Sequence, residues 1–67
     1  MEPFILNLLT RLTRTERHIS NLEHFLASPR GMDVSVDERK LIEAQIEHNR
    51  ALCKILSTRL SLHGVKI

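Results

Sequence analysis

The chain has few of the residues that cross-link or bend a small protein. Cys53 is its one cysteine, so we expect no disulfide within the chain. It has two glycines and two prolines in 67 residues, which leaves long stretches able to form helices. A chain of this length buries a low fraction of its surface, and no disulfide compensates for that deficit. We therefore expect self-association to supply part of the stability.

Aromatic residues and long apolar runs are also scarce. Phe4 and Phe25 are the two aromatics, with no Trp or Tyr, and single-strand-binding surfaces depend on exposed aromatic rings. The net charge of +2 is below that of most dedicated nucleic-acid binders, so we expect no nucleic-acid partner. No apolar run approaches the roughly 18 residues of a membrane span, and no secretory signal is recognisable. We expect a cytoplasmic protein without a membrane partner, and Cys53 as a small buried apolar side chain.

Two long stretches have the alternating three- and four-residue spacing of amphipathic helices. We predict helix 1 over about 3–27, a loop over 28–35 and helix 2 over about 36–62. The helix 1 stripe is Ile5, Leu8, Leu12, Thr15, Ile19, Leu22 and Leu26. The helix 2 stripe is Ile42, Ile46, Asn49, Cys53, Leu56 and Leu60, widened by Leu41, Gln45, Leu52, Ile55 and Arg59. Gly31 is expected in a left-handed turn, Ser35 and Glu38 in a capping box, and Gly64 at the end of helix 2.

These elements predict an all-α fold, with residues 1–67 forming a single antiparallel two-helix hairpin that self-associates into a helical bundle. We expect a homodimeric four-helix bundle or a higher ring. In the predicted alignment helix 2 overhangs helix 1, which leaves its C-terminal apolar residues without a partner in the chain: Leu60, Leu62, Val65 and Ile67. The residues predicted to meet a second copy are Phe4, Leu9, Leu52, Ile55, Arg59 and Leu62.

Polar residues interrupt the predicted seam at Thr15, Gln45 and Asn49. A buried amide costs stability unless it is hydrogen-bonded, and in coiled coils such residues fix register and oligomeric state. This structural interpretation stands beside a functional one, in which the polar groups line a ligand pocket between protomers.

A basic group forms the second candidate site. Its members on helix 1 are Arg11, Arg14, Arg17 and His18, and its members on helix 2, expected at the same height, are His48, Arg50 and Lys54. Together they could clamp a phosphodiester, since arginine offers a planar fork of donors. The alternative is an ordinary solvated face, with Glu43 and Glu47 neutralising part of the charge.

No pattern indicates catalysis or a cofactor. The histidines do not have metal-ligand spacing, and we find no nucleophile–base pair and no phosphate-binding glycine loop. We therefore expect no metal, no cofactor and no enzymatic activity.

Residues 16–60 resemble short phage and prophage helical-hairpin accessory proteins. The resemblance is carried by Glu16, Ile19, Leu22, Phe25 and Leu26, then Glu38-Arg39-x-x-Ile42-x-x-Gln45, then Ile55-Leu56-x-x-Arg59-Leu60. Asn49 and Leu52 depart from the Met and Tyr of that pattern.

This resemblance implies a non-enzymatic phage accessory protein acting in the host cytoplasm. By analogy with anti-defence sponges it implies a homo-oligomer that sequesters a cyclic-oligonucleotide signal. Arg11, Arg14, Arg50 and Lys54 would then hold phosphates, and Gln45 and Asn49 would contact base edges. The alternative is a protein-interaction module that inhibits a host protein through its apolar helix flank.

Overall fold

The computed structural model describes residues 2–66, and over that range the chain is all-helical with no strand. Helix α1 spans Pro3–Ala27, helix α2 spans Pro29–Met32 and helix α3 spans Val36–Leu62. The bounds of α1 and α3 agree with those predicted for helices 1 and 2. No helix within residues 2–66 is long and apolar enough to cross a membrane.

Helices α1 and α3 lie side by side and antiparallel. Near the connection, Arg39 contacts the carbonyl of Leu26, and midway along the pair the Gln45 amide lies 3.1 Å from His18 Nε2. At the other end the rings of Phe4 and His63 are 5.2 Å apart. We call that end, where α1 begins and α3 ends, the open end. The body measures 44 × 16 × 15 Å, as expected for two helices in contact along their length.

The core is densest at the open end. A cluster of fully or almost fully buried side chains from both helices lies there: Ile5, Leu8, Leu12, Leu56 and Leu60. Ile42 and Ile46 are buried nearer the connection, whereas Thr15, Asn49 and Cys53 between them are only half-buried. The predicted seams therefore do face each other, with a weaker middle where the polar residues fall.

The predicted overhang of α3 is wrong for two of its residues. Leu60 is 0% exposed, and Val65 packs against the same core cluster. Gly64 has φ 78°, and the N–H of Val65 donates to the carbonyl of Leu60 at 3.0 Å. This Schellman turn brings Val65 back onto the helix end. Leu62 does remain exposed, at 81%, and Ile67 lies outside the described residues.

The predicted loop over 28–35 is also corrected, because α2 occupies half of it. Pro29 takes the first helical position, and Ser28 Oγ accepts from the N–H of Gly31 at 3.1 Å. Proline at that position favours a new helical turn, which the prediction overlooked. Gly31 is helical and not left-handed: a Cβ there would lie 1.9 Å from the carbonyl oxygen of Phe25, so this close approach requires glycine.

Two side chains hold α3 against this connection. Ser35 Oγ accepts from the N–H of Glu38 at 3.1 Å, which is half of the predicted capping box. Arg39 Nη2 donates to the carbonyls of Leu26 and Gly31 at 3.0 and 3.2 Å. Arg39 therefore satisfies carbonyl groups at the ends of α1 and α2 that no helical N–H can reach.

Candidate functional site

The hairpin has two long faces, one on either side of the seam between α1 and α3. The face marked by the His18–Gln45 and Phe4–His63 contacts is called the basic face. The face marked by the ion pair of Glu23 with Arg50 is called the mixed face. The periodicity of each helix then assigns the other side chains to one face or the other.

The mixed face pairs its charges internally. Arg50 Nη2 lies 2.6 Å from Glu23 Oε2, and Arg50 Nη1 lies 2.8 Å from Glu47 Oε1. These side chains are about half exposed or more, so each pair contributes little stability, about 0–1 kcal/mol. Lys54 is one helical turn from Arg50 on the same flank. The structure therefore does not bring Arg50 and Lys54 to Arg11 and Arg14, with which the sequence interpretation grouped them.

A groove of about 500 Å³ opens on the basic face near the open end. Its walls are Phe4, Asn7, Leu8, Thr10, Arg11, Arg14 and Arg59. The guanidinium carbon of Arg59 lies 5.5 Å from the centre of the Phe4 ring, and His63 meets that ring edge-on at 74°. Phe4 is 42% exposed, so part of its side chain remains accessible to solvent in this groove.

The arginines of this groove have no acidic partner among the described residues. Within residues 2–66 the ion pairs are those of Arg50, and Arg11, Arg14 and Arg59 form none. Their guanidinium groups therefore present unneutralised positive charge around one depression. Sequence reasoning assigned Arg59 to an oligomer interface and left Asn7 out, because the adjacency of α1 and α3 at this end depends on the register of the hairpin.

Gln45 and His48 extend the basic face toward the connection. Gln45 is exposed and hydrogen-bonds to His18 at 3.1 Å, so it lies at the surface and not inside the seam. His48 is exposed on the same flank of α3. Thr15, the polar residue predicted in the α1 seam, is half-buried and donates to the carbonyl of Arg11 at 2.7 Å. Its hydroxyl is thus satisfied within its own helix.

Asn49 does lie in the seam. It is half-buried, and its Nδ2 is shielded from solvent without a hydrogen-bond partner among residues 2–66. An unsatisfied buried amide of this kind costs about 1–3 kcal/mol. Nothing in the described part of the chain compensates it, so Asn49 destabilises the isolated hairpin at its middle.

The residues predicted for an oligomer interface divide between the faces. Leu52, Ile55, Arg59 and Leu62 form one flank of α3, on the basic face. Phe4 lies on that face too, whereas Leu9 is about 140° away from it around α1 and packs half-buried against the core. Leu9 therefore contributes to the hairpin's own packing, away from the other residues predicted for the interface.

One continuous row runs along that flank of α3, and we call it the outer stripe. Its members are Leu41, Gln45, His48, Leu52, Ile55, Arg59 and Leu62, which alternate steps of four and three. The exposed fractions of Leu41, Ile55 and Leu62 are 67%, 56% and 81%. The outer stripe is thus a second heptad row beside the seam, with nothing in residues 2–66 covering these three side chains.

Cys53 behaves as a packed side chain and not as a reactive thiol. It packs against the core cluster, and its burial, aided by the carboxylate of Glu16, raises the pKa of the thiol. No group of three or more potential metal ligands occurs within residues 2–66. No protein-family model matches the chain, and neither the curated proteins nor the solved structures give a match. The function is therefore inferred from the basic face and the outer stripe.

Proposed function

We propose that this chain is a non-enzymatic binding protein that works as a homo-oligomer and holds a phosphate-bearing anion on its basic face. The main support is the groove at the open end, where Arg11, Arg14 and Arg59 surround one depression. None of these three arginines has a carboxylate partner within residues 2–66. Arginine presents a rigid fork of N–H donors that matches two phosphate oxygens at once.

The distribution of charge supports an anionic ligand. The chain carries a net charge of only +2. At the middle of the hairpin two of its acids, Glu23 and Glu47, pair with Arg50 on the mixed face. The basic face therefore carries more positive charge than the net value suggests. Phosphate contacts to such a face weaken as salt rises, which gives the proposal a measurable signature.

The Phe4 ring supports a ligand that also has an aromatic base. It lines the same groove as the arginines and is partly exposed, so a nucleobase could stack on it while the guanidinium groups hold phosphates. By analogy with anti-defence sponges, cyclic oligonucleotides are the ligand class to test first, because they combine bases with phosphate groups. The groove is open to water, which suits holding a ligand and not transforming it.

Calorimetric titration with a panel of cyclic dinucleotides and trinucleotides tests this function. We expect binding by at least one member, and a loss of about tenfold or more in affinity when Arg11→Gln and Arg14→Gln are combined, since each charged hydrogen bond contributes about 1.5–3 kcal/mol. Arg50→Gln is the matched control, because Arg50 is occupied by carboxylates on the mixed face. Absence of heat with every panel member, or equal losses in control and test variants, would refute the proposal.

A second candidate function rests on the exposed leucines and isoleucine of the outer stripe, with Leu62 at 81% and Leu41 at 67% exposed. Such a flank could dock into a helical groove of another protein and inhibit it. Affinity capture from a bacterial lysate separates the two functions. A ligand-binding oligomer should retain little foreign protein, whereas an inhibitor should retain one partner, and Ile55→Ser should release it.

A further inference from the structure

The outer stripe reads nearly the same in both directions. Leu52 lies at its centre, and Leu41 and Leu62 lie at its ends. Gln45 and His48 lie between the leucines of one half, and Ile55 and Arg59 lie between those of the other. When two copies of α3 are laid antiparallel about Leu52, leucine faces leucine at the centre and, to within one residue, at both ends, and an arginine faces an amide. Leu52 lies opposite itself and Gln45 lies opposite Arg59, while Leu41 and His48 each lie within one residue of the position opposite Leu62 and Ile55.

We propose that the outer stripe is the interface of an antiparallel homodimer centred on Leu52. The occupant of this unpartnered flank is therefore a second copy of the same chain. An interface of this kind uses one patch on both subunits, which a self-complementary row provides. Helix α3 would pack against α1 through the seam and against the partner's α3 through the outer stripe, as helices do in four-helix bundles.

Electrostatics selects the antiparallel direction. In a parallel, in-register pair Arg59 would stand opposite Arg59, which places like charges together. The antiparallel pair sets Arg59 against the side-chain amide of Gln45 in the other copy, whose oxygen can accept from the guanidinium group. Arg59 has no acidic partner within residues 2–66. The antiparallel pair gives its guanidinium group a hydrogen-bond acceptor, whereas the parallel pair would place it against a second guanidinium group.

The exposed area agrees with an interface of ordinary size. The chain has an accessible surface of 5165 Å² at a mass of 7.8 kDa. The surface–mass relation for compact monomers gives about 4,400 Å² at this mass. The excess of about 800 Å² equals what one partner buries in a standard protein–protein interface. The elongated hairpin would thus have to cover about this much surface, by contact with a second copy, to reach the exposure of a compact protein.

The dimer would bring both basic faces to one cleft. The contacts of His18 with Gln45 and of Phe4 with His63 set Leu52 at about the height of the Arg11–Arg14 segment of α1. A two-fold axis through Leu52 therefore passes beside Arg11 and Arg14 of both copies. Repulsion among these guanidinium groups keeps the two α1 helices apart, which leaves a cleft bordered by both.

This cleft suits a ligand with two-fold symmetry and two phosphate groups, of which a cyclic dinucleotide is the simplest test compound. This assignment rests on the proposed function, whereas the dimer itself does not. The expected stoichiometry is one ligand per two chains.

Disulfide trapping in a Cys53→Ala background tests the interface. Leu52→Cys should cross-link to itself under mild oxidation, because the two copies of residue 52 face each other. Leu41→Cys should not cross-link to itself, since an antiparallel pair separates its copies by about 33 Å at 1.5 Å per residue. A mixture of Leu41→Cys with Leu62→Cys should form the mixed cross-link. Self-linking of Leu41→Cys would establish a parallel pair and overturn the proposal. A monomeric mass of the wild type, measured by light scattering at about 100 µM, would also overturn it, because no dimer would then exist.

Ligand titration tests the shared cleft separately from the dimer interface. Arg14→Gln should weaken cyclic-dinucleotide binding while leaving dimer affinity equal or higher, because it removes repulsion at the axis. A dimer that binds no member of the panel would refute the proposed function and the shared cleft, yet leave the interface standing. Binding at two ligands per dimer would refute the shared cleft alone.

Discussion

The amide of Asn49 gives the sharpest test of the seam. Its Nδ2 is shielded from solvent without a hydrogen-bond partner among residues 2–66, at the half-buried middle of the α1–α3 contact. Asn49→Leu keeps a side chain of similar length and removes the unsatisfied donor. We therefore expect the variant to be more stable than the wild type.

The magnitude follows from two contributions. Removal of the unsatisfied amide contributes about 1–3 kcal/mol. Leucine is also the better helix former, by a few tenths of a kcal/mol up to about 0.5 kcal/mol. The sum of about 1–3.5 kcal/mol corresponds to a rise in Tm of roughly 4–28 °C, because 1 kcal/mol shifts Tm by about 4–8 °C in a domain of this size.

Thermal and urea unfolding followed by circular dichroism, at one fixed chain concentration, measure the effect. Asn21→Leu is the matched control, since Asn21 is exposed on α1 and the same exchange there changes only helix propensity. The control should gain at most about 0.5 kcal/mol. If Asn49→Leu gains no more than this control, the amide has a partner in solution, and the assignment of Asn49 as an uncompensated seam residue is wrong.

Three further outcomes are expected. Gly31→Ala should lose about 1–3 kcal/mol of unfolding free energy, because its Cβ would meet the carbonyl of Phe25, whereas Gly64→Ala should lose about 1–2 kcal/mol from left-handed strain alone; urea melts compare them. Leu60→Ala should cost about 2–5 kcal/mol, and Leu62→Ala should leave the monomer's stability nearly unchanged while weakening association in sedimentation equilibrium. Because the folded state raises the pKa of Cys53, the unfolded state loses that proton first, so stability should fall as pH rises past 9.0, and less so in Cys53→Ala.

Much of the fold was predictable because helix periodicity is a local property. The bounds of α1 and α3, the seam residues and the end of α3 at Gly64 follow from spacing, proline and glycine. The α2 turn was missed because Ser28, Pro29 and Gly31 also fit a loop, and only the approach of Gly31 to Phe25 distinguishes the two. The burial of Leu60 and Val65 was missed because the exact register between two helices depends on packing along their whole length.

The candidate site was less predictable than the fold. Sequence spacing marks Arg11, Arg14 and Arg50 as basic positions, but it does not say that Arg50 turns to Glu23 across the mixed face. Nor does it say that Arg59 meets Phe4 and the α1 arginines in one groove. Those neighbours are far apart along the chain, and a rotation of one helix by a fraction of a turn would exchange them.

The sequence alone determined that this protein consists of two long amphipathic helices with more apolar surface than a hairpin can cover. Its periodicity sets which residues share a helix face, because that depends only on the pitch of the α-helix. The tertiary structure decided which flanks of the two helices lie together. Register and rotation between helices set the neighbours across the seam, and they separate the unpaired arginines of the basic face from the ion pairs of the mixed face.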